Sequence, residues 1–65
     1  MQGTVKWFSE DKGYGFINSG DKDYFVYFKE IIADGYKLLK PGQTVSFTPD
    51  SSGRGLQAKE VKVQS

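Results

Sequence analysis

Side-chain character along this chain switches with a period of two, the period of a strand whose successive residues point to opposite faces. In Tyr14–Asn18 the aromatics Tyr14 and Phe16 fall on one face and Ile17 on the other. In Tyr24–Phe28, Phe25 and Tyr27 share a face and Val26 lies behind them. Gly3–Phe8 is another short run rich in β-branched and aromatic residues. Thr44–Thr48 alternates cleanly, with Val45 and Phe47 inward, and Pro49, which has no N–H for a ladder, is expected to end it. The last run, Leu56–Val63, carries Ala58, Val61 and Val63 as apolar positions, and its change of phase between Ala58 and Val61 predicts a bulge.

Polar stretches containing turn formers separate these runs: Ser9–Gly13, Ser19–Asp23 and Asp50–Gly55. Residues 29–43 break the pattern. Ile31-Ile32 and Leu38-Leu39 flank Asp34-Gly35, and Pro41-Gly42 closes the segment, which predicts one helical turn near Lys29–Ile32 followed by a long loop. Five strands in 65 residues must curl and close to cover one core, so the pattern predicts an all-β fold, a small β-barrel. A chain this short is expected to be a single domain over residues 1–65, burying only about 60% of its unfolded surface and correspondingly marginal in stability.

Aromatic residues change the picture most. Eight of the ten lie between residues 7 and 28, and Tyr14, Phe16, Phe25 and Tyr27 make a four-ring panel on one face of adjacent strands. Taken singly, each ring is more simply read as core. Taken together they are too many, because Ile17 and Val26 already supply the opposite, inner face. A second apolar face on a small sheet asks for a ligand. Rings that stack on nucleobases beside a Lys that meets phosphate, as in Lys12-Gly13-Tyr14-Gly15-Phe16, form the combination that single-strand binders use.

Charge is less decisive: nine Lys and Arg against eight Asp and Glu give a net +1, far from the strongly basic balance of a dedicated phosphate binder. Lys6, Lys12, Lys29, Lys37 and Arg54 are candidates to surround the panel, with Asp21, Asp34, Asp50 and Glu60 facing elsewhere. The chain has neither Cys nor His, which leaves no disulfide framework, no structural zinc site and no expected cofactor. An enzyme is disfavoured on the same grounds, with no Gly-rich phosphate loop opening a helix and no carboxylate pair beyond Glu10-Asp11 and Asp21/Asp23. No apolar run approaches the roughly 20 residues of a membrane span, so no membrane partner is expected and a soluble, cytoplasmic monomer is the default.

At this point the chain resembles a known family. Gly3-Thr4-Val5-Lys6-Trp7-Phe8, Lys12-Gly13-Tyr14-Gly15-Phe16-Ile17, Phe25-Val26-Tyr27-Phe28, Gly35-Tyr36, Gly42-Gln43-Val45-Phe47 and Gly55-Gln57-Ala58 look like successive blocks of the bacterial cold-shock proteins, nearly end to end and in order. The resemblance implies a five-stranded antiparallel OB-fold barrel whose two aromatic strands bind single-stranded RNA and single-stranded DNA. It also implies an RNA chaperone that melts or prevents RNA structure and so affects transcription termination and translation. The Lys-Gly-aromatic-Gly-aromatic signature occurs in RNA-recognition motifs as well. There, however, helices separate the strands and the two motifs come in the reverse order, whereas here six residues separate Ile17 from Tyr24.

Carried over residue by residue, the resemblance implies a binding surface of Lys6, Trp7, Phe8, Lys12, Tyr14, Phe16, Phe25, Tyr27, Phe28, Tyr36 and Arg54, with Asp23 and Gln57 as polar contacts to base edges. Strict alternation opposes two members of that set: Trp7 and Phe8 share a face only if the strand twists or bulges, and Tyr27 and Phe28 pose the same conflict. The chain departs from the family at three places. Tyr27 stands where His is usual, keeping a ring and a hydroxyl without the positive charge; Tyr24 replaces a β-branched residue on the inner face; and Leu56 replaces a Pro beside Arg54. The rival reading is a small barrel that uses its aromatic face for a peptide, in the manner of proline-rich ligand recognition.

Overall fold

The computed structural model describes residues 1–32, 38–53 and 55–64. β1 (Gln2–Ser9), β2 (Tyr14–Ser19) and β3 (Lys22–Tyr27) form an antiparallel meander, followed by one turn of 3₁₀ helix (Phe28–Glu30). β4 (Thr44–Gly53) and β5 (Gly55–Val63) make a long hairpin, and the strands close into a barrel in the order β1-β2-β3-β5-β4. Four of the five neighbouring pairs are antiparallel, but β3 and β5 run parallel, so the barrel is mixed rather than wholly antiparallel. An odd number of strands forces this: directions cannot alternate all the way round a ring of five.

The predicted inner positions fill the barrel. Ile17, Val26, Val45 and Val61 are fully buried, with Val5, Phe47 and Ala58 beside them. Each of the larger aliphatic side chains contributes about 1.5–3 kcal/mol by leaving water. Tyr24 is inside as well, its ring 5.0 Å from that of Phe47. No buried side-chain oxygen among the described residues lacks a partner, so the Tyr24 hydroxyl is not left stranded in the core. Ile31, bridged in parallel to Val61 just after the helical turn, and Leu39 are buried in the same core. The loop expected after that turn includes residues 33–37, which lie outside the described residues.

Pro49 does not end β4. The strand continues to Gly53, with Pro49 opposite Ala58, and much of the turn expected over Asp50–Gly55 is therefore strand. Proline is tolerated there because β1 pairs with β4 only from Thr44 to Ser46 and Met1 extends the bonding only to Phe47; beyond that residue β4 has β5 on one side and no described strand on the other.

Two irregularities re-aim side chains. On β5 the partners of Ser46 and Thr48 are Lys62 and Lys59, one residue more than the step on β4, and Glu60 takes a φ of +51° within that bulge. The predicted change of phase after Ala58 is this bulge. Val61 re-enters the core, while Val63, 38% exposed, leaves it at the barrel end. On β1, Val5 faces Ile17 but Trp7 faces Phe16, so Lys6 is the extra residue and the outward phase shifts by one. This packing depends on Gly15. A Cβ there would run into the Trp7 carbonyl oxygen and come within 2.7 Å of the Phe8 Cα.

Candidate nucleic-acid interface

The bulge at Lys6 resolves the conflict over Trp7 and Phe8. Lys6 and Trp7 both point outward, and Phe8 turns inward opposite Gly15, half-buried and packed against the core. Trp7 thereby joins the outer face of β2 and β3. Its ring centre lies 5.6 Å from that of Tyr14 and 5.4 Å from that of Phe16. Tyr14 and Phe25 are stacked at 5.4 Å, and Phe16 meets Phe25 edge-on at 5.7 Å. These four rings form one contiguous surface.

Tyr27 is opposite Tyr14 on the same face, yet its ring packs on Phe28, 4.9 Å away. Phe28 escapes strand alternation because β3 ends at Tyr27, and the backbone N–H of Phe28 donates to the Gly13 carbonyl at 2.8 Å. Gly13, at φ +75°, lies so close under the Phe28 ring that a Cβ would sit 2.9 Å from it. The glycines of Lys12-Gly13-Tyr14-Gly15-Phe16 thus have backbone work: one holds the turn against Phe28, the other lets β1 approach β2.

Beside this pair opens a cavity of about 250 Å³ lined by Phe8, Glu10, Asp11, Lys12, Gly13, Phe28 and Leu38, with an apolar floor and a charged rim. Phe8 and Phe28 therefore belong to the cavity rather than to the four-ring surface. Lys12 is exposed at its edge, its backbone N–H donating to Ser9 Oγ at 3.3 Å.

A polar cluster borders the rings on the other side. Lys6 Nζ donates to Asp23 Oδ2 at 3.0 Å, and Asn18 Nδ2 donates to Asp23 Oδ1 at 3.0 Å. The Asn18 bond first, and Lys6 next, hold the Asp23 carboxyl below its ordinary value. Gln57, half-buried on β5, pairs with Phe25 across the parallel seam. Tyr36 and Arg54 lie outside the described residues. Among the described residues no group of His, Cys, Asp and Glu is arranged to hold a metal ion, and no helix is long and apolar enough to cross a membrane.

Sequence reasoning missed Asn18, which fixes Asp23, and Leu38, which lines the cavity. It also placed Asp50 away from the panel, whereas Asp50 pairs with Gln57 and so faces the same side. Only the pairing of distant strands reveals this.

Three comparisons bear on the arrangement. The family model described as 'Cold-shock' DNA-binding domain matches residues 1–64. The chain is 57% identical to cold shock protein CapB of Pseudomonas fragi, over 94% of this chain and 90% of that protein. It is 51% identical to cold shock-like protein CspA of Vibrio cholerae, again over 94% and 90%, and 52% identical to cold shock-like protein CspB of Bacillus cereus, over 94% and 95%. Among solved structures, Drosophila Unr CSD456 superposes with a TM-score of 0.79 at 27% identity, covering 98% of this chain; the chain spans 26% of that structure's length.

Proposed function

The chain belongs to the cold-shock domain family, and on that premise we propose that it binds single-stranded RNA and single-stranded DNA on the outer face of β1–β3 as a cytoplasmic monomer. Residues 1–65 act as one binding domain. The observation that carries the reading is the contiguous surface of Trp7, Tyr14, Phe16 and Phe25, whose rings pack on one another while Trp7 stays 40% exposed and the other three part-exposed. Unpaired bases offer flat apolar faces that match it, and each stacked base contributes about 1–3 kcal/mol.

Tyr27 and Phe28 extend the stacking surface toward the cavity. Lys6 and Lys12 supply phosphate contacts at its two borders, Asp23 and Gln57 meet base edges, and Tyr36 and Arg54 complete the surface as the family resemblance implies. A protein that holds bases unpaired keeps RNA from refolding on itself. Acting as an RNA chaperone, it would thereby affect transcription termination and translation.

The test is the emission of Trp7, the single tryptophan. Heptathymidine and its ribo counterpart are expected to quench it, and a duplex of the same length to compete poorly, because its bases are already stacked on one another. Equal affinity for duplex would rule out stacking. Quenching by a proline-rich peptide instead would favour a peptide-binding barrel.

A further inference from the structure

Strand pairing places one residue from each of the five strands in a single outward row: Trp7 opposite Phe16, Phe16 opposite Phe25, Phe25 opposite Gln57, and Gln57 opposite Asp50. Directly opposed residues project to the same side of a sheet. The row therefore begins with three rings and ends, two strand spacings or about 10 Å beyond Phe25, in a carboxylate. Alternation along β4 agrees, since Val45 and Phe47 are buried and Asp50 is in the opposite phase.

Asp50 is fixed in place. Its Oδ1 accepts the backbone N–H of Ser52 at 2.9 Å and the Ser52 hydroxyl at 2.7 Å. Those two bonds, the backbone one first, hold its carboxyl below the ordinary value, so it stays ionised at neutral pH. The nearby ammonium of Lys59 lies 3.6 Å from Glu30. Oδ2 of Asp50 makes no hydrogen bond to another described residue.

We infer that Asp50 is a specificity determinant: its second carboxylate oxygen, Oδ2, reads the base that follows the one stacked on Phe25 and selects an exocyclic amino group over a carbonyl. The inference rests on the single-strand reading above. A carboxylate only accepts, so it bonds the N4 amino group of cytosine but meets the O4 carbonyl of thymine as one acceptor against another. A phosphate at this spot would be repelled, which turns the strand so that bases, not backbone, face Asp50.

The experiment uses heptathymidine and seven variants, each with one thymidine replaced by cytidine, titrated against the full chain by Trp7 emission. In at least one position cytidine is expected to strengthen binding about five-fold, the lower part of the range for a base-edge contact. Asp50→Asn keeps the Oδ1 acceptor for Ser52 and puts a donor where Oδ2 was. In that variant the preference at the same position falls to parity or turns toward thymidine, with the melting temperature confirming a folded barrel. Ser52→Ala, which removes the hydroxyl bond and leaves only the backbone N–H to hold the carboxylate, reduces the preference without reversing it. An unchanged cytidine preference in Asp50→Asn overturns the inference, as does uniform tightening on all eight oligomers, which would make Asp50 a simple electrostatic repeller. Absence of quenching by every oligomer would instead overturn the single-strand reading itself.

Discussion

The β2–β3 hairpin presents two apolar faces made from alternate residues of the same two strands, and they have opposite fates. On the inner face Ile17 and Val26 are fully buried and Tyr24 is 6% exposed. On the outer face Tyr14, Phe16 and Phe25 are half-buried, packed against each other and Trp7, and Tyr27 is 39% exposed. The inner face is mostly aliphatic and branched, shapes that interlock across a narrow barrel. The apolar part of the outer face is all aromatic, with Asn18 and Asp23 as the polar end of that face. Flat rings stay in contact with one another at the surface and leave planar area free. Burial alone does not separate core from site here; what separates them is which apolar surface the chain itself can cover.

The comparison breaks if the two faces respond alike to truncation. Ile17→Ala removes a fully buried side chain, for which a loss of about 2–5 kcal/mol of folding stability is expected. In a 65-residue domain this is a large part of the whole, so urea unfolding should shift strongly while the folded fraction still binds heptathymidine. Phe25→Ala should do the reverse, weakening oligonucleotide binding by about 1–3 kcal/mol with a smaller loss of stability. If Phe25→Ala unfolds the chain and leaves no separate binding defect, the faces have been assigned the wrong way round.

A smaller effect sharpens the account of how the barrel closes. Glu60 sits at φ +51°, a left-handed conformation that disfavours side chains with a Cβ. Glu60→Gly is expected to raise stability by about 1 kcal/mol, read as a higher urea midpoint with an unchanged slope, and binding should not move. A lower midpoint would mean that the Glu60 side chain contributes more than its backbone costs.

Acidity supplies the smallest effect. Asp23 and Asp50 have carboxyls held below their ordinary value by hydrogen bonds in the folded chain. A carboxyl lowered on folding stabilises above its unfolded pKa of about 3.9 and loses that contribution as pH falls through the folded value. Neither group changes charge between about pH 5.5 and 8, and the chain has no His, so binding should be flat across that window at fixed ionic strength. Tyr27→His should tighten binding as pH falls through about 6.5.

Much of this was legible in the chain because strand alternation is local. Ile17, Val26, Val45 and Phe47 were placed inward from their neighbours alone, and the phase change after Ala58 announced the β5 bulge. Pairing is not local. The extra residue at Lys6 shows only against β2, the passage of β4 through Pro49 depends on where β1 stops, and Asp50 joins the aromatic row only through β5. That one pair must run parallel follows from counting strands, but that it is β3 with β5 depends on the order in which the strands close.

The two-face account is tested most directly by nuclear magnetic resonance of the full chain titrated with heptathymidine. The ring protons of Trp7, Tyr14, Phe16 and Phe25 should shift and show contacts to thymine protons, and the thymine methyl signals should move upfield from ring currents, while the methyl groups of Ile17 and Val26 stay in place. Shifts confined to Lys side chains, or a displacement of the Ile17 and Val26 methyls as large as that of the outer rings, would contradict it.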